Sequence, residues 1–499
     1  MNTYLRESPS PRARASFWLL VLLLLISPLY LSSKPPLAIM VLELLSLLGL
    51  LILGWGGNDH RHSLRRVERW VLWALILVPA LYLIPVPADV RLLLPGQGDY
   101  YLALQAVGAE GWVSVSLDAS STLKALAVLL IPVVVFALTR ALRARDLSRL
   151  VGVLLLIAAF QAGIGLIQFG VAADPQNFWH FGEPPGHNAR GTWSSRNNFA
   201  GFLNLALMMA IAFFMATLGR HKQQMTNESF RDRLVYWSTW QGHRAFVYGF
   251  IALLVLTAIV FTRSRMGIMT SMLGVMLATV FFARRIGGDN AYGLTGTILA
   301  GVLGVGTTIG LGPVLARFSQ ADPLADGRSY IFDGAFQGIG HFFPLGSGPG
   351  TFVEVFPRFQ AWEMATVTIN RAHNSYLEWL FTMGMPAAVL MAVLLFLFVR
   401  QWFRLGDTWS EFRFLQTGAG LGCLLTLVHE LVDYNLFVGA NVVAFAFLAG
   451  IFFHPHRDQP KVKTRSKSES PVDAVRARVD LPSVDSADNP FSEETQENS

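Results

Sequence analysis

An all-α fold, a polytopic integral membrane protein with about twelve transmembrane helices and one large extracytoplasmic loop, is predicted by three observations. The 499-residue chain is 53% hydrophobic and only 14% charged, with a mean hydropathy of +0.44. A soluble domain carries roughly a quarter charged residues. Apolar runs long enough to cross the hydrocarbon core of a bilayer recur along the chain. Finally, the basic residues gather in short clusters in alternate connections, the asymmetry that orients membrane spans.

The spans fall at about 17–33, 36–55, 70–86, 122–139, 148–171, 197–218, 245–262, 266–283, 294–316, 374–399, 412–432 and 437–454. The first follows Arg6, Arg12 and Arg14 as a signal peptide would. No small-residue cleavage site comes after it and another span starts at once, so it reads as a retained helix. Arg61, Arg65, Arg66 and Arg69 share one connection, and Arg140, Arg143, Arg145 and Arg149 another. Arg220, Lys222, Arg231, Arg233 and Arg244 fill a third, with Arg284, Arg285, Arg400, Arg404 and Arg413 in two more. With alternating spans all of these lie on one side, which makes that side, and both termini, cytoplasmic.

Two segments follow from this topology. Residues 1–455 form a membrane-embedded domain that includes the extracytoplasmic loop 317–372. Residues 456–499, first basic and then acidic with Pro and Ser throughout, read as a disordered cytoplasmic tail. The single cysteine, Cys423, lies in an apolar run, so no intramolecular disulfide is expected. The net charge of +6 is no nucleic-acid signature, because the basic residues are scattered in short clusters between apolar runs.

The opposite face has the longer, less basic connections 87–121, 172–196 and 317–372. Arg190, Arg196, Arg263, Arg265, Arg328, Arg358 and Arg371 lie there, against the charge bias. Any one of them has an ordinary explanation, snorkelling to lipid headgroups or pairing with a loop carboxylate. As a set at helix mouths they suggest a site for an anion. Arg371-Ala-His373-Asn374-Ser-Tyr-Leu377 adds a titratable base just before the apolar run 377–398. The alternative for His373 is a hydrogen-bonded helix-capping residue.

Other motifs carry less. Gly346-Ser-Gly348-Pro-Gly350 lacks the lysine of a phosphate loop and reads as a tight turn with exposed amides, near a diphosphate if one binds. His429-Glu430-Leu-Val-Asp433 lacks the second histidine of a zinc helix, which favours a buried polar contact. His180 and His187 lie in a Gly/Pro-rich loop, where solvation is the expected state. No metal ligand set and no cofactor is expected. A transporter or lipid-carrier flippase would place ionisable groups in mid-membrane or break helices in both halves. Here Glu43 is the clearest mid-span charge and the polar residues cluster at one surface.

Five motifs in order resemble the O-antigen ligase and polymerase family of bacterial envelope glycosyltransferases. They are Arg190-Gly-Thr-Trp-Ser-Ser-Arg196-Asn197-Asn198-Phe-Ala-Gly201, Thr262-Arg263-Ser264-Arg265-Met-Gly267 and Gly327-Arg328-Ser-Tyr-Ile-Phe-Asp-Gly. Pro344-Leu-Gly346-Ser-Gly348-Pro-Gly350-Thr-Phe352 and Arg371-Ala-His373-Asn374-Ser-Tyr-Leu with Gly384 complete the set, over roughly residues 185–435. Two departures bear on the acceptor. Ala387 stands where the family often has Gly, Thr or Tyr, and Ser195-Arg196-Asn197-Asn198 resembles the polymerase branch at least as much as the ligases.

The resemblance implies glycan transfer from an undecaprenyl-diphosphate carrier to an acceptor hydroxyl, on a glycan or on lipid A-core. The site would lie on the periplasmic face of the bacterial inner membrane, among membrane lipids. It assigns catalysis to His373 and Arg328, the diphosphate to Arg190, Arg196, Arg263 and Arg265, and support to Asn198 and Asn374. No metal enters. Arginine suits a diphosphate because its planar fork donates two hydrogen bonds and stays charged. A neutral imidazole near a helix N-terminus, beside arginines that disfavour its protonation, suits a general base. Protein O-glycosylation is an alternative within the same chemistry, and a polysaccharide or lipid-carrier transporter one outside it.

Overall fold

A computed structural model describes residues 10–55, 64–108, 111–171, 188–224, 239–286, 323–405 and 410–455. The predicted span 294–316, the tail 456–499, the first residues of loop 317–372, and His180 and His187 lie outside the described residues.

The chain is almost wholly helical. Helices α1 (Pro11–Ile26), α2 (Pro36–Gly54) and α3 (Arg66–Ala80) open it. A short antiparallel pair, β1 (Pro85–Pro87) with β2 (Trp112–Ser114), brackets α4 (Gly98–Ala106). Then come α5 (Ala119–Ala141), α6 (Ala144–Gly170), α7 (Arg196–Gln224), α8 (Trp240–Phe261) and α9 (Arg265–Ile286). Helix α10 (Pro323–Phe342) precedes α11 (Ser375–Arg404), α12 (Glu411–His429) and α13 (Gly439–Phe452).

Starts are set by local chemistry. Ser10, Asp118, Thr239, Asn374 and Ser410 each turn a side-chain oxygen onto a first-turn amide. This satisfies donors that the helix itself leaves without partners.

Among the described residues seven helices, α2, α5 to α9 and α11, are long and apolar enough to cross a membrane. Several such helices make a multi-pass membrane protein, and among the described residues seven of them stand against the twelve spans predicted. Helices α1, α3 and α13 are only 16, 15 and 14 residues long. Glu411 and Arg413 lower the hydropathy of α12. The predicted span 70–86 is cut at Pro79, after which the chain passes into a 3-10 turn and the proline-bounded β1. Proline removes the amide that a longer helix would need.

Helix α7 is the axle of the bundle, buried along its whole spanning length among α6, α8, α9, α12 and α13. Asn204 on α7 donates to Gly267 O at 3.1 Å and to Thr270 Oγ1 at 2.9 Å on α9. Such interhelical bonds hold where apolar burial gives little preference, since lipid is as apolar as leucine. Leu44, Leu47, Leu51, Leu156, Phe160, Met269, Met272, Met276 and Phe396 face outward as a bilayer requires.

Loop 317–372, predicted only as a long connection, holds α10. Helix α10 packs on α11 so closely that a Cβ on Gly338 would sit 2.0 Å from the Phe381 ring. Ile331, Ala335, Phe342, Phe352, Phe356 and Phe381 form a second apolar core there. The Gly346–Gly350 turn belongs to this packing. Its amides are engaged, Ser347 N with Phe381 O at 3.2 Å and Gly348 N with Thr382 O at 2.8 Å. They face a kink in α11 at Gly384, whose φ is +52° and where a Cβ would lie 2.2 Å from Pro344 O. Only glycine fits both the left-handed backbone and that approach. The expectation of free amides for a diphosphate is corrected accordingly.

Candidate functional site

Hydrogen bonds sort the loops between the two ends of the bundle. At one end Arg140 on α5 pairs with Glu68 on α3 at 2.6 Å, and Arg65 reaches Gln401 on α11 at 3.2 Å. His454 meets Leu142 O, and Arg244 meets Glu411. Arg65, Arg140 and Arg244, from three of the predicted basic connections, gather here.

The other end joins the α1–α2 connection to the segment before α7, where Thr192 Oγ1 donates to Pro28 O. That segment is tied to the end of α6, because Arg190 N donates to Gln168 Oε1 at 3.2 Å. It is tied to α8 through Ala189 N and Phe261 O at 2.8 Å. Trp193 Nε1 donates to Asn441 Oδ1 at 2.8 Å, and Asn441 Nδ2 donates to Asn198 O at 2.8 Å and to Asn435 Oδ1 at 3.1 Å. This buried chain anchors the connection 430–438 to the start of α7. Ser375 N donates to Glu430 O at 3.1 Å, and Ser375 Oγ donates to the Glu430 carboxylate. The start of α11 is thereby clamped to the same connection.

His373 stands on this clamp. Its φ is +52°, a left-handed conformation uncommon for residues other than glycine. Holding it costs about 1–3 kcal/mol, so the surroundings must over-determine it. They do: Ala372 N donates to Glu378 Oε2 at 3.0 Å, and Asn374 Oδ1 accepts from Tyr376 N at 3.0 Å and Leu377 N at 3.1 Å. His373 itself makes no cap. Its ring lies 5.1 Å from that of Tyr434, edge-on, and its buried Nδ1 has no partner among the described residues. Burial holds the imidazole below the ordinary histidine range; Asp433 pulls it up, while Arg328 and Lys34 push it down. Arg328, on α10, is thus in electrostatic reach of His373, and its buried Nε has no partner among the described residues.

The remaining sequence candidates divide. Arg190 and Arg196 flank the tied-down segment before α7, and Arg265 opens α9. Arg263 occupies the α8–α9 turn with φ +55°, its guanidinium 5.4 Å from the Phe169 ring. All four sit at the same end as His373. Arg371 and Arg358, also singled out by sidedness, have protein partners. Arg371 pairs with Glu378 at 2.7 Å and lies 4.2 Å from the Phe437 ring centroid. Arg358 pairs with Asp99 and lies over Tyr100. Asn198 is a strut, donating to Asn435 Oδ1 at 3.4 Å, and Asn374 is the N-cap of α11. The His429–Asp433 segment supplies the buried polar contacts expected of it, His429 Nε2 lying 3.9 Å from Asp433 Oδ2.

Sequence reasoning missed Lys34, Asp433 and Tyr434 as groups acting on His373, and Glu430 as the partner of Ser375 beside it. The signal available was two carboxylates and a tyrosine ending an apolar run, unusual at a membrane mouth.

Asp433 has a testable influence. A general base works as the neutral ring, so its rate falls as pH drops through its pKa. With that value lowered, activity should persist below about pH 6.5, where an ordinary histidine protonates. Asp433 favours the charged ring, so Asp433→Asn should move the acid limb of the rate profile to still lower pH. A limb that stays put or moves up would show that Asp433 does not act on His373.

The family model described as O-Antigen ligase matches residues 250–392, and over that stretch the chain is similar to the O-antigen ligase family. The match runs from α8 into α11 and contains Arg263, Arg265, Arg328, His373 and Asn374. The family is one of glycosyltransferase-like enzymes acting on lipid-linked glycans and acceptors. No curated protein matches the chain.

Proposed function

We propose that this protein transfers a glycan from an undecaprenyl-diphosphate carrier to an acceptor hydroxyl at the periplasmic face of the bacterial inner membrane. The observation that carries the reading is His373, held in a left-handed backbone and with its pKa lowered by burial, in electrostatic reach of Arg328, whose buried Nε has no partner among the described residues. Nε2 of the neutral ring takes the proton of the acceptor hydroxyl as its oxygen bonds to the anomeric carbon. The bond from that carbon to the diphosphate breaks, and its electron pair leaves on the diphosphate. Arg190, Arg196, Arg263, Arg265 and Arg328 would hold that charge. Fixed donors aimed where charge develops act strongly in a water-poor site.

The direct test is purified protein in detergent with undecaprenyl-diphosphate-linked glycan and its acceptor. Release of undecaprenyl diphosphate together with lengthened or ligated glycan is expected. A donor that stays intact overturns the reading.

Sidedness is tested separately by cysteine labelling. Thr366, exposed in the connection before α11, serves as the probe, with exposed Arg145 as the counterpart at the opposite end. In a Cys423→Ser background, Thr366→Cys should label from outside intact inner membranes and Arg145→Cys should not. The reverse pattern would put the site in the cytoplasm and exclude a periplasmic reaction.

A further inference from the structure

We propose a saccharide-holding site on the face of α10 turned away from Arg328, which binds a stretch of glycan remote from the reacting end. The inference rests on the glycan-transfer reading for the class of ligand, and on the following geometry for the site. Tyr330, Asp333, Gly334 and Gln337 recur at three- and four-residue spacing and share one face of α10. At 3.6 residues per turn, Asp333 and Gln337 lie roughly 140–180° around the helix from Arg328. A cavity of about 340 Å³ opens on that face, closed on its other side by the connection 358–363. Its size falls in the range of small-ligand sites, about 300–1,000 Å³.

The floor is set by Gly334, where a Cβ would meet Phe359 O at 2.5 Å, so the helix backbone lies directly against the facing connection. The lining is rich in acceptors. Asp333 and Glu363 make no hydrogen bond or ion pair among the described residues. Gln360 spends its amide nitrogen on Met364 O and Val367 O, which leaves its oxygen turned to other donors. The one cation in the lining, Arg358, is paired with Asp99.

That chemistry selects a ligand. Two carboxylates without a free cation repel phosphate, and a polar lining gains little from an apolar molecule. A polyhydroxylated chain brings the donors that carboxylates and amides lack, and its C–H faces stack on aromatic rings. Such rings stand at the rim: Trp362, next to Glu363, is 82% exposed, and Tyr330 is 39% exposed. An aromatic ring left in water beside paired acceptors is an arrangement suited to sugar. Since the helix separates this cavity from Arg328, the units held here are several residues from the bond being made.

The test uses full-length protein in detergent carrying His373→Ala, so that binding is measured without turnover. It is titrated with a panel of neutral and acidic oligosaccharides of four to eight units, and with calcium and a basic peptide as competing ligands. At least one oligosaccharide should bind, and the double substitution Asp333→Asn with Gln337→Ala should weaken it about tenfold or more, through loss of charge-assisted hydrogen bonds. Both positions are exposed, so an unchanged melting temperature is expected to accompany the loss. Trp362→Ala should weaken binding independently. If no oligosaccharide binds, if binding ignores these substitutions, or if only calcium or the peptide occupies the site, the proposal fails. Turnover of the unmodified protein tests the parent reading separately, so the two can fail independently.

Discussion

His373→Ala is expected to lower turnover about 10²–10⁴-fold, the usual contribution of a positioned general base. Donor affinity should stay near that of the unmodified protein, because the base acts on the acceptor proton while arginines hold the donor. In cells, lipid-linked donor should accumulate. The substitution also removes the cost of a β-carbon-bearing ring in a left-handed backbone only in part, since alanine keeps the Cβ. His373→Gly relieves that strain and serves as the control. Both variants should insert and fold, as the clamp is made by Ser375, Glu430, Ala372 and Glu378 and not by the imidazole. If either variant retains most of its turnover, the base is another group, and Tyr434 and Asp433 are the nearest candidates.

Arg328→Lys should lower activity about 10–100-fold although charge is kept, because an ammonium cannot reproduce two parallel hydrogen bonds to a phosphate. Arg190→Lys and Arg265→Lys should act in the same direction. Arg328→Lys carries a second signature. Arg328 helps hold His373 neutral, and a shorter or more mobile cation at that place holds it less firmly. The acid limb of the rate profile should therefore move to higher pH, opposite to the shift expected for Asp433→Asn. Arg358→Lys, at an arginine tied to Asp99, is the contrast and should cost little in chemistry. Full glycan output from all three site variants at equal protein level would return these arginines to lipid-facing or loop-pairing roles.

The order of motifs and the arginine asymmetry were legible because they are properties of the chain read locally. Spans show as apolar runs, and the asymmetry shows as basic clusters in alternate connections. What was not legible is mostly what depends on a partner distant in sequence. Helix α10 escaped notice because its apolar positions Ile331, Ala335 and Phe342 are interrupted by Gly334, Gly338 and Gly340. Glycine weakens an isolated helix by about 1 kcal/mol each. The helix forms because Gly338 admits the Phe381 ring from α11.

Asn374 shows the same division at one residue. The resemblance gave it a supporting role beside the histidine, and the fold makes it the N-cap of α11. Gly346, Gly348 and Gly350 read as a tight turn with exposed amides, and the fold spends that turn on the kink at Gly384.

By itself the sequence determined that this chain lives in a bilayer, that its helices carry arginine to two kinds of mouth, and that His373 opens a helix at the arginine-poor one. These follow from hydropathy, charge placement and capping chemistry, each decided within a few residues. Only the tertiary structure decided which groups His373 faces. Lys34 from the first connection, Arg328 from α10 and Asp433 from the connection after α12 all act electrostatically on one ring, which no local reading of the chain brings together. Buried polar side chains must find partners, and the asparagine chain from Asn198 to Asn441 and the Ser375–Glu430 clamp satisfy that demand in one arrangement of the helices.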